Sequence, residues 1–93
     1  RQDIWYVESS RRNLTIYEAG ESSRVLMKLS DMEKLLPEYF LRCHQSYLVN
    51  MDRIRKFTLD GIVLIDGRVI PVSRARYTET KDKFLKNLGE RLI

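Results

Sequence analysis

The densest cluster of chemically versatile side chains is the segment Arg42-Cys43-His44-Gln45-Ser46, which lies between two apolar segments. A polar stretch between apolar strands is typical of a connecting loop or a solvent-facing edge, and surface loops often carry binding residues. Arg42 suits a phosphate, Gln45 can pair with adenine N6 and N7, and Ser46 can bond a phosphate oxygen. An ordinary connecting loop and a recognition loop therefore both remain open.

Catalysis by this segment is disfavoured. Cys43 and His44 are adjacent, so on a strand their side chains point to opposite faces and cannot form a nucleophile–base pair. The chain has no GxGxxG, P-loop or HExxH motif, and one Cys with one His cannot supply a zinc cluster. We expect no enzyme activity and no cofactor. An exposed Cys43 beside Arg42 and His44 would be a redox-responsive thiol, and a small buried residue is the alternative.

Two further clusters are basic. If Ser73 caps a helix, Arg74 and Arg76 lie in its first turn, where cations oppose the helix dipole. A phosphate bound at that helix start would relieve the conflict, and arginines that are solvated or paired with Glu79 are the alternative. The second cluster, Arg11-Arg12-Asn13, is a loop tip with groups that suit DNA but with no motif of its own.

These clusters must be positioned by a mainly β chain. Runs of apolar, β-branched and aromatic residues predict strands at 4–7, 14–18, 24–28, 39–41, 47–49, 53–57, 62–65 and 68–72, and residues 14–18 also show the period-2 alternation of a half-buried strand. A capping box of Ser30 and Glu33 predicts a short helix over 30–36. A second helix is predicted over 73–88, with an apolar stripe formed by Tyr77, Phe84, Leu85 and Leu88 and with Thr80 or Lys81 between them.

Composition sets the broad class. A chain of 93 residues with 43% hydrophobic residues suits one domain, residues 1–93, and excludes a disordered tail. Residues 1–50 carry seven basic and seven acidic residues, whereas residues 51–93 carry ten and six, so the net charge of +4 lies in the second half. No apolar run approaches the ~20 residues of a membrane span. We expect a cytoplasmic fragment of a longer protein with a further domain upstream.

The segment Phe40-Leu41-Arg42-Cys43-His44-Gln45-Ser46-Tyr47-Leu48-Val49-Asn50 resembles the Arg-x-His-x-Ser-Tyr/Phe-Leu/Ile-Val-Asn signature of the LytTR DNA-binding domain of bacterial response regulators. Residues 4–8, Leu64 to Gly67 and Ile70 to Arg74 also match, as does the helix ahead of the signature. The resemblance covers nearly the whole chain. It implies elongated antiparallel β-sheets with small helices, and loops rather than a recognition helix in the major groove.

The resemblance also implies which residues contact DNA. The implied base contacts are Arg74, Gln45, Asn13 and Arg12. The implied phosphate contacts are Arg42, Ser46, Ser73, Arg11 and Arg76. His44 and Asn50 belong to the signature, either as contacts or as structural hydrogen-bonding residues. Members often carry Lys or Arg where this chain has Gln45, which favours base readout at that position.

We therefore expect a sequence-specific double-stranded DNA-binding domain of a bacterial transcriptional regulator, the output domain of a two-component system. We expect no membrane contact and no small-molecule substrate, and a second protomer on tandem sites stays open. The main alternative is a protein-interaction module that docks an acidic partner. Binding of single-stranded RNA would require Trp5 or several tyrosines to be exposed on one sheet.

Overall fold

The computed structural model describes residues 3–91, with side chains up to residue 89. The strands are β1 Ile4–Ser10, β2 Asn13–Glu18, β3 Glu21–Leu26, β4 Phe40–His44, β5 Tyr47–Asn50, β6 Ile54–Thr58, β7 Gly61–Leu64 and β8 Val69–Ile70. Helix α1 spans Leu29–Leu35 and helix α2 spans Tyr77–Arg91, with 3₁₀ turns at Met51–Arg53 and Arg74–Arg76. The predicted class, mainly β with short helices, is confirmed.

The strands form two antiparallel sheets. The first has the order β3-β2-β1-β5-β4 and the second has the order β6-β7-β8. Two-residue turns join β1 to β2 and β4 to β5, so that Ser10 pairs with Asn13 and His44 pairs with Tyr47. The described residues extend over 36 × 30 × 25 Å.

Both faces of the central strands of the first sheet are covered, which explains why these strands carry apolar residues on both sides. One face packs on α1, and its buried cluster is Val7, Leu14, Leu29, Met32 and Leu48. The other face packs on the second sheet, and its buried cluster is Tyr6, Leu41, Cys43, Val49, Met51, Ile62, Leu64 and Ile70. The first sheet is therefore a rigid middle layer, and its turns emerge from a packed scaffold.

Gly61 is required by the close approach of β7 and β8. Its φ is +143°, and a Cβ at this position would lie 2.6 Å from the carbonyl oxygen of Ile70. A side chain here would force the two strands apart, so the turn before β7 depends on glycine at this position.

The helix boundaries differ from those predicted. Ser30 lies inside α1, where Lys28 is the N-cap residue without a side-chain bond, so the predicted capping box is wrong. The second helix begins at Tyr77, because residues 74–76 form a 3₁₀ turn, and it continues past Gly89 to Arg91.

The apolar stripe of α2 is also different from the prediction. Phe84 is buried and lies 6.0 Å from Phe57, centroid to centroid, but Leu85 and Leu88 are exposed. Thr80, one of the two residues predicted between Tyr77 and Phe84, occupies that position and is 1% exposed. The buried face of α2 is therefore narrower than the predicted stripe, because it does not include Leu85 or Leu88.

Candidate nucleic-acid interface

Two hairpin turns lie side by side at one end of the first sheet. Strand β1 is antiparallel to β5, with Glu8 opposite Tyr47, so the end of β1 meets the start of β5. The Ser9 N–H donates to the Ser46 carbonyl at 2.8 Å and joins the two turns directly. Since neighbouring strands are ~4.8 Å apart, the two turns are separated by two strand spacings, about 10 Å.

The β1–β2 turn presents its polar side chains to solvent. Arg11 has φ +57°, the left-handed conformation that lets two residues reverse the chain. Arg11, Arg12 and Asn13 are all exposed. None of the carboxylates in residues 3–89 pairs with either arginine. The structure therefore leaves two guanidinium groups at this turn for an external anion.

The β4–β5 turn is held by the histidine of the signature. The register shifts between Arg42 and His44, and the turn itself is Gln45-Ser46, so residues 42–44 lie on strand β4 rather than in the predicted loop. The Ser46 N–H donates to His44 Nδ1 at 3.1 Å, which requires this ring nitrogen to be unprotonated. The neutral ring then carries its proton on Nε2. Gln45 is exposed at the tip.

Arg42 is engaged within the protein. Its Nε donates to the His44 carbonyl at 3.0 Å and its Nη2 donates to the Gln45 carbonyl at 2.9 Å. Its Nη1 forms an ion pair with Glu33 on α1 at 3.0 Å, and only 19% of the side chain is exposed. These contacts disfavour the expected role of Arg42 as a phosphate ligand. Arg42 braces the β4–β5 turn and links it to α1.

The third cluster runs along the outer edge of β4. The Ser73 N–H donates to the Cys43 carbonyl at 2.9 Å, which places the start of the Arg74–Arg76 turn beside this edge. Arg74 is exposed and Arg76 is half-buried. Glu79 pairs with Lys83 at 3.3 Å instead of with either arginine, so the ion-pair alternative is wrong.

Ser73 does not act as predicted. Its hydroxyl makes no capping bond to the following turn. The Oγ atom is buried without a hydrogen-bond partner among the described residues, and its N–H is already bonded to Cys43. A phosphate cannot reach this hydroxyl without a local rearrangement, which disfavours the expected contact.

Two further predicted residues are structural. Asn50 is 5% exposed, and its amide donates to the Ile4 carbonyl and accepts from the Asp52 N–H, both at 2.9 Å. Cys43 is fully buried, and its thiol donates to the Pro71 carbonyl at 3.5 Å. Burial raises the pKa of Cys43 to about 12. A redox thiol needs exposure and a lowered pKa, so that hypothesis is wrong.

Sequence reasoning missed a partly buried hydrogen-bond network next to the two turns. Tyr17 and Tyr47 donate their hydroxyls to the two oxygens of Glu8 at 3.3 and 3.1 Å. Burial and this carboxylate together raise the pKa of Tyr47 to about 12. The Arg68 guanidinium, from the second sheet, lies 5.7 Å from the Tyr6 ring centroid. Glu8 follows Tyr6 by two residues in β1 and so lies on the same face of the strand, which was the signal that could have revealed this network.

Metal clusters and membrane-spanning helices are both absent from the described residues. No group of three or more His, Cys, Asp or Glu side chains there could hold a metal ion. Neither helix, as far as it is described, is long and apolar enough to cross a membrane.

Comparison with known proteins identifies the family. The profile described as "LytTr DNA-binding domain" matches residues 1–85. An uncharacterized HTH-type transcriptional regulator of Staphylococcus aureus MRSA252 is 30% identical over 97% of this chain, which spans 59% of that protein. The transcriptional regulatory protein YpdB of Escherichia coli K12 is 36% identical over 83% of this chain, corresponding to 34% of its own length.

A solved structure agrees with this result. It is the LytTr DNA-binding domain of a methyl-accepting/DNA response regulator from Bacillus cereus, which superposes with a TM-score of 0.78 at 26% identity. The superposition covers 88% of this chain and 80% of the other. The profile match over most of the chain and the shared fold show that this chain belongs to the LytTR DNA-binding domain family.

Proposed function

We propose that the chain binds double-stranded DNA sequence-specifically through the two turns and the 73–76 segment, with the turns in the major groove. The observation that carries the proposal is the convergence of the three clusters. Two backbone hydrogen bonds, Ser9 to Ser46 and Ser73 to Cys43, bring them to one end of a rigid sheet. The arginines exposed there have no carboxylate partner among the described residues.

The spacing of the clusters suits a duplex. The two turns are about 10 Å apart and the major groove is about 12 Å wide, so both turns can enter one groove. The 73–76 segment lies a further one and a half strand spacings away, about 7 Å. The resulting line of about 17 Å corresponds to about five base pairs at ~3.4 Å per step.

The side chains divide into two roles. Arg74, Arg12, Gln45 and Asn13 are exposed and carry the groups that read base edges, with arginine pairing to guanine O6 and N7. Arg11, Arg76 and Ser46 supply phosphate contacts, which set position without reading sequence. His44 can add an Nε2–H donor, because its other ring nitrogen is occupied by the turn.

A helix-turn-helix mode does not suit this fold. The first relative is named as an HTH-type regulator, but in residues 3–91 the two helices are separated by five strands. A recognition helix preceded by a short turn and a supporting helix is therefore missing from this region. In the described part of the chain, the turns at the end of the first sheet are the elements that can enter the groove.

We also propose a regulatory context. The relatives are longer proteins that are named as transcriptional regulators, and the structural neighbour is a domain of a response regulator. The chain then serves as the output domain of a bacterial two-component regulator in the cytoplasm. Duplex DNA is its partner, and a second protomer on tandem sites is compatible with a footprint of about five base pairs per copy.

Selection of bound sequences from a random duplex library tests the proposal. The chain should enrich one motif, and it should bind that motif at least about 10³-fold more tightly than a scrambled duplex. Salt-dependent binding without enrichment would overturn sequence-specific recognition. Absence of binding to mixed duplex DNA even at low salt would favour a module for an acidic protein partner.

Fluorescence of Trp5 separates duplex binding from single-strand stacking. Tyr6 is buried, and the hydroxyls of Tyr17 and Tyr47 are bonded to Glu8, so these rings do not form an open stacking surface. Strong quenching of Trp5 by single-stranded RNA, with no preference for duplexes, would contradict this assignment.

A further inference from the structure

One row of polar side chains crosses the whole first sheet next to the turns. The strand register places Arg24 opposite Thr15, Thr15 opposite Glu8, Glu8 opposite Tyr47 and Tyr47 opposite His44. Residues directly opposite each other share a face of the sheet, so the five side chains form one row. The row spans four strand spacings, about 19 Å. Arg24 occupies its far end, on the outer strand β3.

Arg24 forms no ion pair with the described residues. It is exposed, and no carboxylate in the described part of the chain pairs with it. Glu8 is in the same row, but Thr15 lies between them, so the two strands that carry the charges are about 10 Å apart. The guanidinium therefore remains available to an external anion.

The arginine borders a cavity directly below the β1–β2 turn. The cavity has a volume of about 290 Å³, and Arg24 shares it with Arg11, Ser10, Asn13 and Thr15. A water occupies ~30 Å³ of liquid, so the space admits a phosphate group together with several waters. Two guanidinium groups, two hydroxyls and an amide are the donors that a phosphate diester accepts from.

Glu8 also lines this cavity, and its charge limits where an anion can bind. The hydroxyls of Tyr17 and Tyr47 already donate to its two oxygens, which holds the carboxylate on the inner side of the row. Repulsion from this carboxylate disfavours a phosphate at the centre of the sheet. The anion is directed away from Glu8, toward Arg24 and Arg11, which both line the cavity.

We propose that Arg24 and Arg11 together bind one backbone phosphate of the DNA in this cavity. The inference rests on the proposed function, because it extends the same interface by about 7 Å from the β1–β2 turn to β3. Arg24 is then a positioning contact that sets how the turns meet the base edges. The sequence alone placed Arg24 in a predicted strand over 24–28 and gave no signal for this role.

Salt titration of Arg24→Gln tests the contact on the selected duplex and on a scrambled duplex. Loss of one phosphate contact should reduce the slope of log K against log [salt] by about 0.9. The same relation gives binding about eightfold weaker at 0.1 M salt, equally on both duplexes. Arg24→Lys, which retains the charge, should keep a slope close to that of the wild type.

Arg55→Gln is the matched control, because Arg55 is exposed on β6, the outer strand of the second sheet. It removes the same charge and should leave the slope unchanged. A slope that is unchanged in Arg24→Gln, or that falls equally in Arg55→Gln, would overturn the inference while wild-type binding still supports the proposed function. Weakening on the selected duplex alone would also overturn it, since that result indicates a base contact. Thermal melting of each variant confirms that it is folded.

Discussion

Replacing Arg42 separates a bracing role from a DNA contact. Arg42→Ala removes two guanidinium bonds to turn carbonyls and one ion pair with Glu33. Hydrogen bonds to charged groups contribute about 1.5–3 kcal/mol each, reduced here because water can reach the turn, and an exposed ion pair adds about 0.2–1 kcal/mol. We expect a loss of about 2–4 kcal/mol, which lowers the Tm by at least about 8 °C in a domain of this size.

Thermal melting and salt titration of two companion variants complete the test. Arg42→Lys keeps the charge but cannot reach both carbonyls and Glu33 at once, so it should lose most of the same stability. Glu33→Gln removes only the ion pair and should cost less than about 1 kcal/mol. Three results together would refute the bracing role. Arg42→Ala would have the same Tm as the wild type, it would lower the salt slope by about 0.9, and Arg42→Lys would restore that slope.

Four other predictions follow from the contacts of other residues in the structure. Arg74→Ala should cost about 1–3 kcal/mol on the selected duplex and relax preference at one guanine, as measured by competition binding. The Cys43 thiol should react with a thiol reagent at pH 8 only as fast as the protein unfolds, and reaction of the folded protein at the rate of a free thiol would contradict its burial. Between pH 10 and 12 the folded state keeps Tyr47 protonated while the unfolded state releases the proton, so stability should fall with rising pH and fall less steeply in Tyr47→Phe. Gly61→Ala should destabilise by more than about 1 kcal/mol, whereas Gly89→Ala, in a helix with open space around it, should be neutral or stabilising by up to about 1 kcal/mol in denaturant titrations.

Local patterns in the sequence predicted each of the eight strands, although β4 extends to His44, into the segment predicted as a polar loop. Alternation predicted β2, and the basic tip at Arg11 and Arg12 forms the β1–β2 turn. Strand β3 was predicted at 24–28 but spans Glu21–Leu26. Helix starts were predicted less well, because serine is a good N-cap only where the chain bends at that residue. At Ser30 the helix had already begun, and at Ser73 the backbone N–H pairs across to β4. Both outcomes depend on tertiary contacts that a local pattern does not contain.

The roles of individual polar residues depended most on the fold. Arg42 looked like a phosphate ligand until the register placed its guanidinium against two carbonyls of its own turn. Arg24 looked unremarkable, but cross-strand pairing aligned it with Glu8 beside a cavity. The sequence indicates which groups are available, but partners that are distant in the chain decide which of them remain accessible to a ligand.

Amide chemical shifts of the ¹⁵N-labelled chain, recorded as the selected duplex is added, test the central claim most directly. The largest changes should fall on residues 11–13, 45–46 and 73–76, the three clusters that two hydrogen bonds hold at one end of the first sheet. Smaller changes should appear at Arg24, with little change along β6. Changes concentrated along α2, or spread over β6 and away from the turns, would contradict the account.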